Sequence, residues 1–148
     1  MRADEAPAVS TLVVRVFYQF IAPEYSAEGI AEFRRYVHSD ELAARLEKNH
    51  FTLVGVAADV LVGMIEVRNY EHISLLFVAR EHQGQGVARA LWERALAICQ
   101  QMRPALAEVT VNSSPYAAPV YERFGFQAAG GWQEIHGIRF LPMVWRRP

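Results

Sequence analysis

The stretch from His72 to about Met102 constrains the fold more than any other. His72 to Val78 reads as a strand in which Ile73, Leu75 and Phe77 alternate with Ser74, Leu76 and Val78, so both faces are mostly apolar. Such a strand needs cover on both sides, and a sheet obtains that cover when helices pack on each face. A short loop containing Gly84 and Gly86 follows. Val87 to about Met102 then reads as an amphipathic helix, with Val87, Leu91, Ala95, Ile98 and Met102 on one face and Pro104 as its stop.

The flanking segments extend this to a mixed α/β architecture. Asp4 is expected to cap a helix from Glu5 to about Phe20, whose apolar residues Val9, Leu12, Val13, Val16 and Phe17 keep helical spacing. Ser26 is expected to cap a second helix, and Ser39 or Asp40 a short third one over Glu41 to Glu47. Phe51 to Val56 and Val60 to Arg68 read as a hairpin turning at Ala58-Asp59. Beyond the long helix come a strand at Leu106 to Val111 and a short helix started near Ser113 or Ser114 and ended at Gly125. Pro119 belongs in the first turn of that helix or at a kink. Phe126 to Glu134 and Ile138 to Trp145 read as a terminal hairpin around His136-Gly137, and Pro142 marks an edge or a bulge.

Composition narrows the function. At 148 residues the chain is expected to form a single domain over 1–148. Its formal net charge is −1 with no single-sign block, whereas nucleic-acid binders usually carry a basic stripe, so no nucleic-acid partner is expected. The longest mostly apolar run, Phe51 to Ile65, is broken by Asp59 and falls short of the ~20 residues a membrane helix needs. No membrane partner is expected, and with no signal-like start the default address is cytoplasmic. Cys99 is the only cysteine, which excludes an internal disulfide and a cysteine-rich metal site; no metal is expected. Cys99 itself reads as a buried bystander on the long helix.

The two-glycine loop is where chemistry is expected. Glycines allow close backbone approach, and a helix start presents free N–H groups at the positive end of its dipole, which together suit a diphosphate. A Walker A loop fails because Val87 follows Gly86 where lysine is needed. A dinucleotide fingerprint fails because Arg89 occupies its third glycine position. The pattern present is Gln-x-x-Gly-x-Ala at Gln83, Gly86 and Ala88. Further on stand Val109-Thr110-Val111-Asn112 and then Val120-Tyr121-Glu122-Arg123-Phe124-Gly125-Phe126.

Those two segments, in that order, resemble the coenzyme A motif and the later strand–helix motif of the GNAT superfamily, the Gcn5-related N-acetyltransferases. The element order agrees from Asp4 onward. The resemblance implies a mostly antiparallel sheet splayed at a central β-bulge and flanked by helices, with acetyl-CoA as co-substrate. It implies that Phe77 and Val78 pair with the pantetheine amides. Backbone groups of Gln83, Gly84, Gln85, Gly86, Val87 and Ala88 would hold the pyrophosphate, with Asn112 near the cofactor. Tyr121 would set its hydroxyl by the thioester sulfur. The implied reaction is direct attack by an amine of a small molecule or peptide, with no covalent enzyme intermediate.

A general base would help, because an alkylammonium must lose a proton to attack. His72 lies eleven residues before Gln83, the offset at which some histone-modifying members carry a glutamate base. A solvent-facing histidine at a strand start is the competing reading. Glu66 on the preceding strand is the second candidate, with a structural carboxylate as its competitor. Glu24 and Glu28 could attract a cationic acceptor, or serve only as solvated helix-start carboxylates. One departure from the family is the first strand, truncated or missing because only Met1, Arg2 and Ala3 precede Asp4. Either the start lies upstream or the sheet edge is open, and an open edge makes a homodimer one expectation. A catalytically idle CoA-binding or partner-binding module on the same fold is the alternative to an enzyme.

Overall fold

Helical spacing of apolar residues sets the first layer. A computed structural model describes the whole chain, Met1–Pro148. Helix α1 (Ala6–Phe20) buries Val9, Leu12, Val13, Val16 and Phe17 on the stripe the sequence marks. Asp4 does not cap it. A short 3-10 turn, Ala3–Glu5, leads in, and Glu5 stands at the cap with no side-chain bond. Helix α2 (Ala27–Tyr36) begins at Ser26, whose Oγ accepts from the Gly29 N–H at 3.1 Å. Helix α3 (Ser39–Arg45) is capped by His38, whose Nδ1 accepts from the Asp40 N–H; the expected caps Ser39 and Asp40 lie inside the first turn.

The sheet comprises β1 (His50–Ala57), β2 (Val60–Arg68), β3 (His72–Val78), β4 (Glu108–Ser113), β5 (Gln127–Ala128), β6 (Gln133–Ile135) and β7 (Ile138–Arg146). Between them run α4 (Val87–Met102) and α5 (Ala118–Arg123). The strand order is β1-β2-β3-β4-β7-β5, with β6 paired to β7, and only β3–β4 is parallel. No strand precedes α1. β1 is an edge, and the Met1 amino group donates to the Thr52 carbonyl on it at 2.5 Å.

Two cores lie on opposite faces of the sheet. One packs α4 and α5 on Ile65, Val67, Ile73, Val109 and Val111. The other packs α1 to α3 on Met64, Leu75 and Phe77. The split of Ile73 from Leu75 corrects the simple alternation expected of β3. Glu66 pairs with Leu75 and Val67 with Ile73, which leaves Ser74 as an extra residue, a β-bulge that reverses the faces.

Pro142 is a second correction. β7 lies between β4 and β5, so Pro142 is not on an edge strand. Its carbonyl accepts from the Ala129 N–H, and a residue's N and O point to the same side of a strand. The missing N–H therefore faces the break between β5 and β6, where no ladder bond is lost. The expected continuous strand Phe126 to Glu134 is interrupted by that break.

Candidate functional site

Strand parting makes the site. β3 and β4 pair only at His72–Thr110 and Ile73–Val111 and then diverge. The Ala79 N–H donates to the Val62 carbonyl, so alternate residues Phe77 and Leu75 turn their backbone groups to β2. Leu76 and Val78 turn theirs into the gap. This corrects the expectation for Phe77, whose amide is committed to the sheet. Its side chain lines the cleft.

The main cleft has a volume of about 380 Å³. Leu76 and Val78 of β3 form one wall, Val120 and Tyr121 of α5 the other, and the loop before α4 its mouth. Gly84 and Gly86 take φ of +76° and +83°, which an L side chain resists, and a Cβ on either would meet no protein atom. That left-handed turn points the local amides outward. The N–H groups of Gly84, Gln85, Gly86, Val87, Ala88 and Arg89 have no acceptor in the protein; the first helical bond is Ala90 N–H to Gly86 C=O. Six successive free donors at a helix start suit an anion. The basic residues lining the cleft are His82, Arg89 and Arg123, and no carboxylate lines it.

Gln83 differs from its neighbours. Its N–H donates to the Arg80 carbonyl, so it is not one of the free donors. Its side-chain amide donates to Val78 O at 3.1 Å and accepts from the Tyr116 hydroxyl at 2.8 Å. Gln83 thus straps the end of β3 to the loop before α5. Sequence reading missed Tyr116, which stacks on Phe20 with ring centroids 4.7 Å apart and walls the cleft mouth. The signal available was an aromatic directly after Ser-Ser-Pro at Ser113 to Pro115.

Tyr121 stands where α5 meets the gap, its ring edge-on to Phe124 and Phe126. Its side chain is buried and lines the cleft. Burial alone raises its pKa far above the usual phenol value. The short helix before Gly125 places it: Pro119 sits in the first turn, and Gly125 turns the chain at φ +96°.

A smaller cavity of about 80 Å³ lies on the α1–α2 side of the same gap. Leu76, Phe77 and Tyr121 line both spaces, so Tyr121 stands at their junction. Asn112 lines the smaller cavity and not the main cleft, which separates it from the free amides.

Neither candidate base reaches the gap. His72 sits at the paired end of β3, joined to Thr110 Oγ1 through Nδ1 at 2.8 Å, and lines neither cavity. Burial, with Arg68 adding, pushes its pKa down to about 4. Glu66 is fully buried under α3, holding Arg45 Nε at 3.1 and 3.2 Å and accepting from the Tyr36 hydroxyl at 3.2 Å. It too lines neither cavity. Glu24 and Glu28 lie outside both linings. Cys99 is buried, and burial pushes its thiol up to about 11.

A family model described as an acetyltransferase (GNAT) domain matches residues 21–147. The fold is similar to a GCN5-related N-acetyltransferase from Rhodopseudomonas palustris, at TM-score 0.83 and 22% identity over 97% of this chain and 91% of that one. The PaiA N-acetyltransferase from Thermoplasma acidophilum, solved with coenzyme A, matches at TM-score 0.80 and 16% identity over 99% and 96%. An aminoglycoside 6'-N-acetyltransferase complexed with coenzyme A matches at TM-score 0.64 and 11% identity over 96% and 94%.

Proposed function

The chain belongs to the GNAT acetyltransferase family, and on that premise we propose that its parted strands and free amides carry acetyl transfer to a primary amine of a small molecule or peptide. Acetyl-CoA is the co-substrate. One observation carries the reading: the free N–H groups from Gly84 to Arg89 stand at the mouth of a cleft that opens where β3 leaves β4. A diphosphate suits those donors, and the lining contributes cations and no carboxylate.

In that reading Leu76 and the Val78 N–H offer unpaired backbone groups to an extended amide-bearing arm, as a missing strand would, while the Val78 carbonyl stays bonded to Gln83. The bound thioester supplies an electrophilic carbonyl: the amine nitrogen bonds to its carbon, the carbon–sulfur bond breaks, one proton leaves nitrogen and one reaches sulfur. Tyr121, at the junction of the two spaces, faces the leaving sulfur. Its raised pKa keeps the phenol protonated. A thiol of pKa ~8.5 is the stronger acid, so full proton transfer from the phenol runs uphill. Tyr121 therefore acts as a hydrogen-bond donor to developing thiolate charge, and the proton that sulfur gains comes from the attacking nitrogen. With His72 and Glu66 both outside the gap, no side-chain base is assigned, and the acceptor enters as the free amine.

The test is CoA release across an amine panel, run with wild type and Tyr121→Phe. Turnover by wild type, lost in Tyr121→Phe with CoA affinity kept, supports the reading. A protein that binds no acetyl-CoA overturns it.

A further inference from the structure

The smaller cavity differs from the main cleft in charge. The main cleft is lined by His82, Arg89 and Arg123, whereas no Asp, Glu, Lys, Arg or His lines the smaller one. Its walls are apolar residues such as Ile21, Phe33 and Val111, interrupted by neutral hydroxyl and amide groups. Tyr25 is among them, and burial lifts its phenol to about 12, so it too is neutral.

One polar atom there lacks a partner. Ser74, the bulged residue of β3, lines the cavity, and its Oγ is buried with no hydrogen bond. A buried hydroxyl left unpaired costs ~1–3 kcal/mol, a cost that a bound ligand can remove. Tyr36 lies close enough for Ser74 to ease its raised pKa, but the two do not reach hydrogen-bond geometry. The space is also small, at about 80 Å³. An apolar cavity of ~150 Å³ is what accommodates one benzene.

We propose that the acceptor is a compact monoamine whose reacting nitrogen is its only ionisable group, held in the smaller cavity with Ser74 Oγ accepting an N–H from it. The inference rests on the acetyltransferase reading above and deepens it. A second ammonium or a carboxylate on the arm would lose its water and find no counter-charge. The same uncharged walls favour the free amine over the ammonium, which fits the absence of a base in the gap.

The decisive comparison uses three acceptors with the same four-carbon arm: n-butylamine, 1,4-diaminobutane and 4-aminobutyrate. Acetylation is followed by CoA release with the full chain. The expected kcat/KM for butylamine exceeds both others by about 100-fold or more. Its dependence on pH should climb toward the amine's own pKa. Ser74→Ala should raise the KM for butylamine about tenfold with kcat and CoA affinity little changed, and Ser74→Thr should restore much of the loss. Preserved CoA affinity marks each variant as folded.

If either charged acceptor matches or beats butylamine, the proposal is overturned while the acetyltransferase reading stands. Acetyl-CoA bound with no butylamine turnover also overturns it. Failure to bind acetyl-CoA instead removes the reading on which it rests.

Discussion

Arg45→Met tests whether Glu66 serves the fold or the chemistry. The Glu66 side chain is fully buried and that of Arg45 is 12% exposed. Arg45 Nε reaches both carboxylate oxygens, its guanidinium lies 3.8 Å from the Tyr36 ring centroid, and Nη1 donates to Tyr36 O at 2.8 Å. At 3.1 Å and an effective dielectric near 20, the ionic attraction alone is about 5 kcal/mol. Arg45→Met leaves a buried carboxylate with only the Tyr36 hydroxyl, a loss that runs to about 3–5 kcal/mol. Arg45 Nη2 is buried without a partner, so the pair is imperfect and the lower end, about 3 kcal/mol, is expected. For a domain of this size that lowers Tm by about 10 °C. The double variant Arg45→Met/Glu66→Leu removes both charges and should recover most of the loss. Thermal and urea unfolding of the four-member cycle at pH 7 measures the coupling. Glu66→Gln, assayed below its Tm, should keep kcat within a few-fold of wild type. A loss under about 1 kcal/mol in Arg45→Met would mean that the pair is screened by solvent. A hundredfold fall in kcat for a folded Glu66→Gln would return the carboxylate to the mechanism.

Other substitutions separate the remaining roles. Gly86→Val should abolish CoA binding while costing the fold only about 1–2 kcal/mol of left-handed strain, since a Cβ there meets no protein atom; calorimetry showing unchanged CoA affinity in the folded variant would refute the amide arc. Tyr121→Phe should lower turnover about 10²-fold, the usual cost of one donor to developing charge, with CoA affinity unchanged. His72→Gln should leave the kcat/KM pH profile as it is in wild type. It should also flatten an acid instability: the folded pKa of about 4 lies below the ordinary 6.5, so stability from neutral His72 is full above 6.5 and is lost as pH falls toward 4. Tm measured between pH 7 and 4 for both proteins checks that sign.

Much of the scaffold was legible because punctuation and period agree. Gly86 before and Pro104 after bracket α4, and its observed span is Val87–Met102. Ser26 announces α2, and Pro119 does fall in the first turn of α5. The bulge at Ser74 was not legible. Ile73, Leu75, Leu76 and Phe77 are all apolar, so inserting one residue into the pairing leaves the hydrophobic pattern unchanged. Pro142 misled for a related reason. A missing donor matters only on the side where a partner strand runs, and the β5–β6 break that spares it is a tertiary fact.

His72 shows the limit of carrying a catalytic position by offset alone. Counting eleven residues back from Gln83 fixes how far along β3 a side chain stands. It does not fix where β3 parts from β4. Here the pairing holds through His72–Thr110 and Ile73–Val111, so the residue at that offset is sealed into the ladder and bonded to Thr110. The first position beyond the split is Ser74, the bulged residue that lines the smaller cavity. A base at the offset of His72 would need a strand that opens at least two residues sooner. Where the split falls later, as here, the side chain at the opening is a neutral hydroxyl, and in the mechanism proposed above deprotonation passes to the solvent and to the acceptor's own pKa.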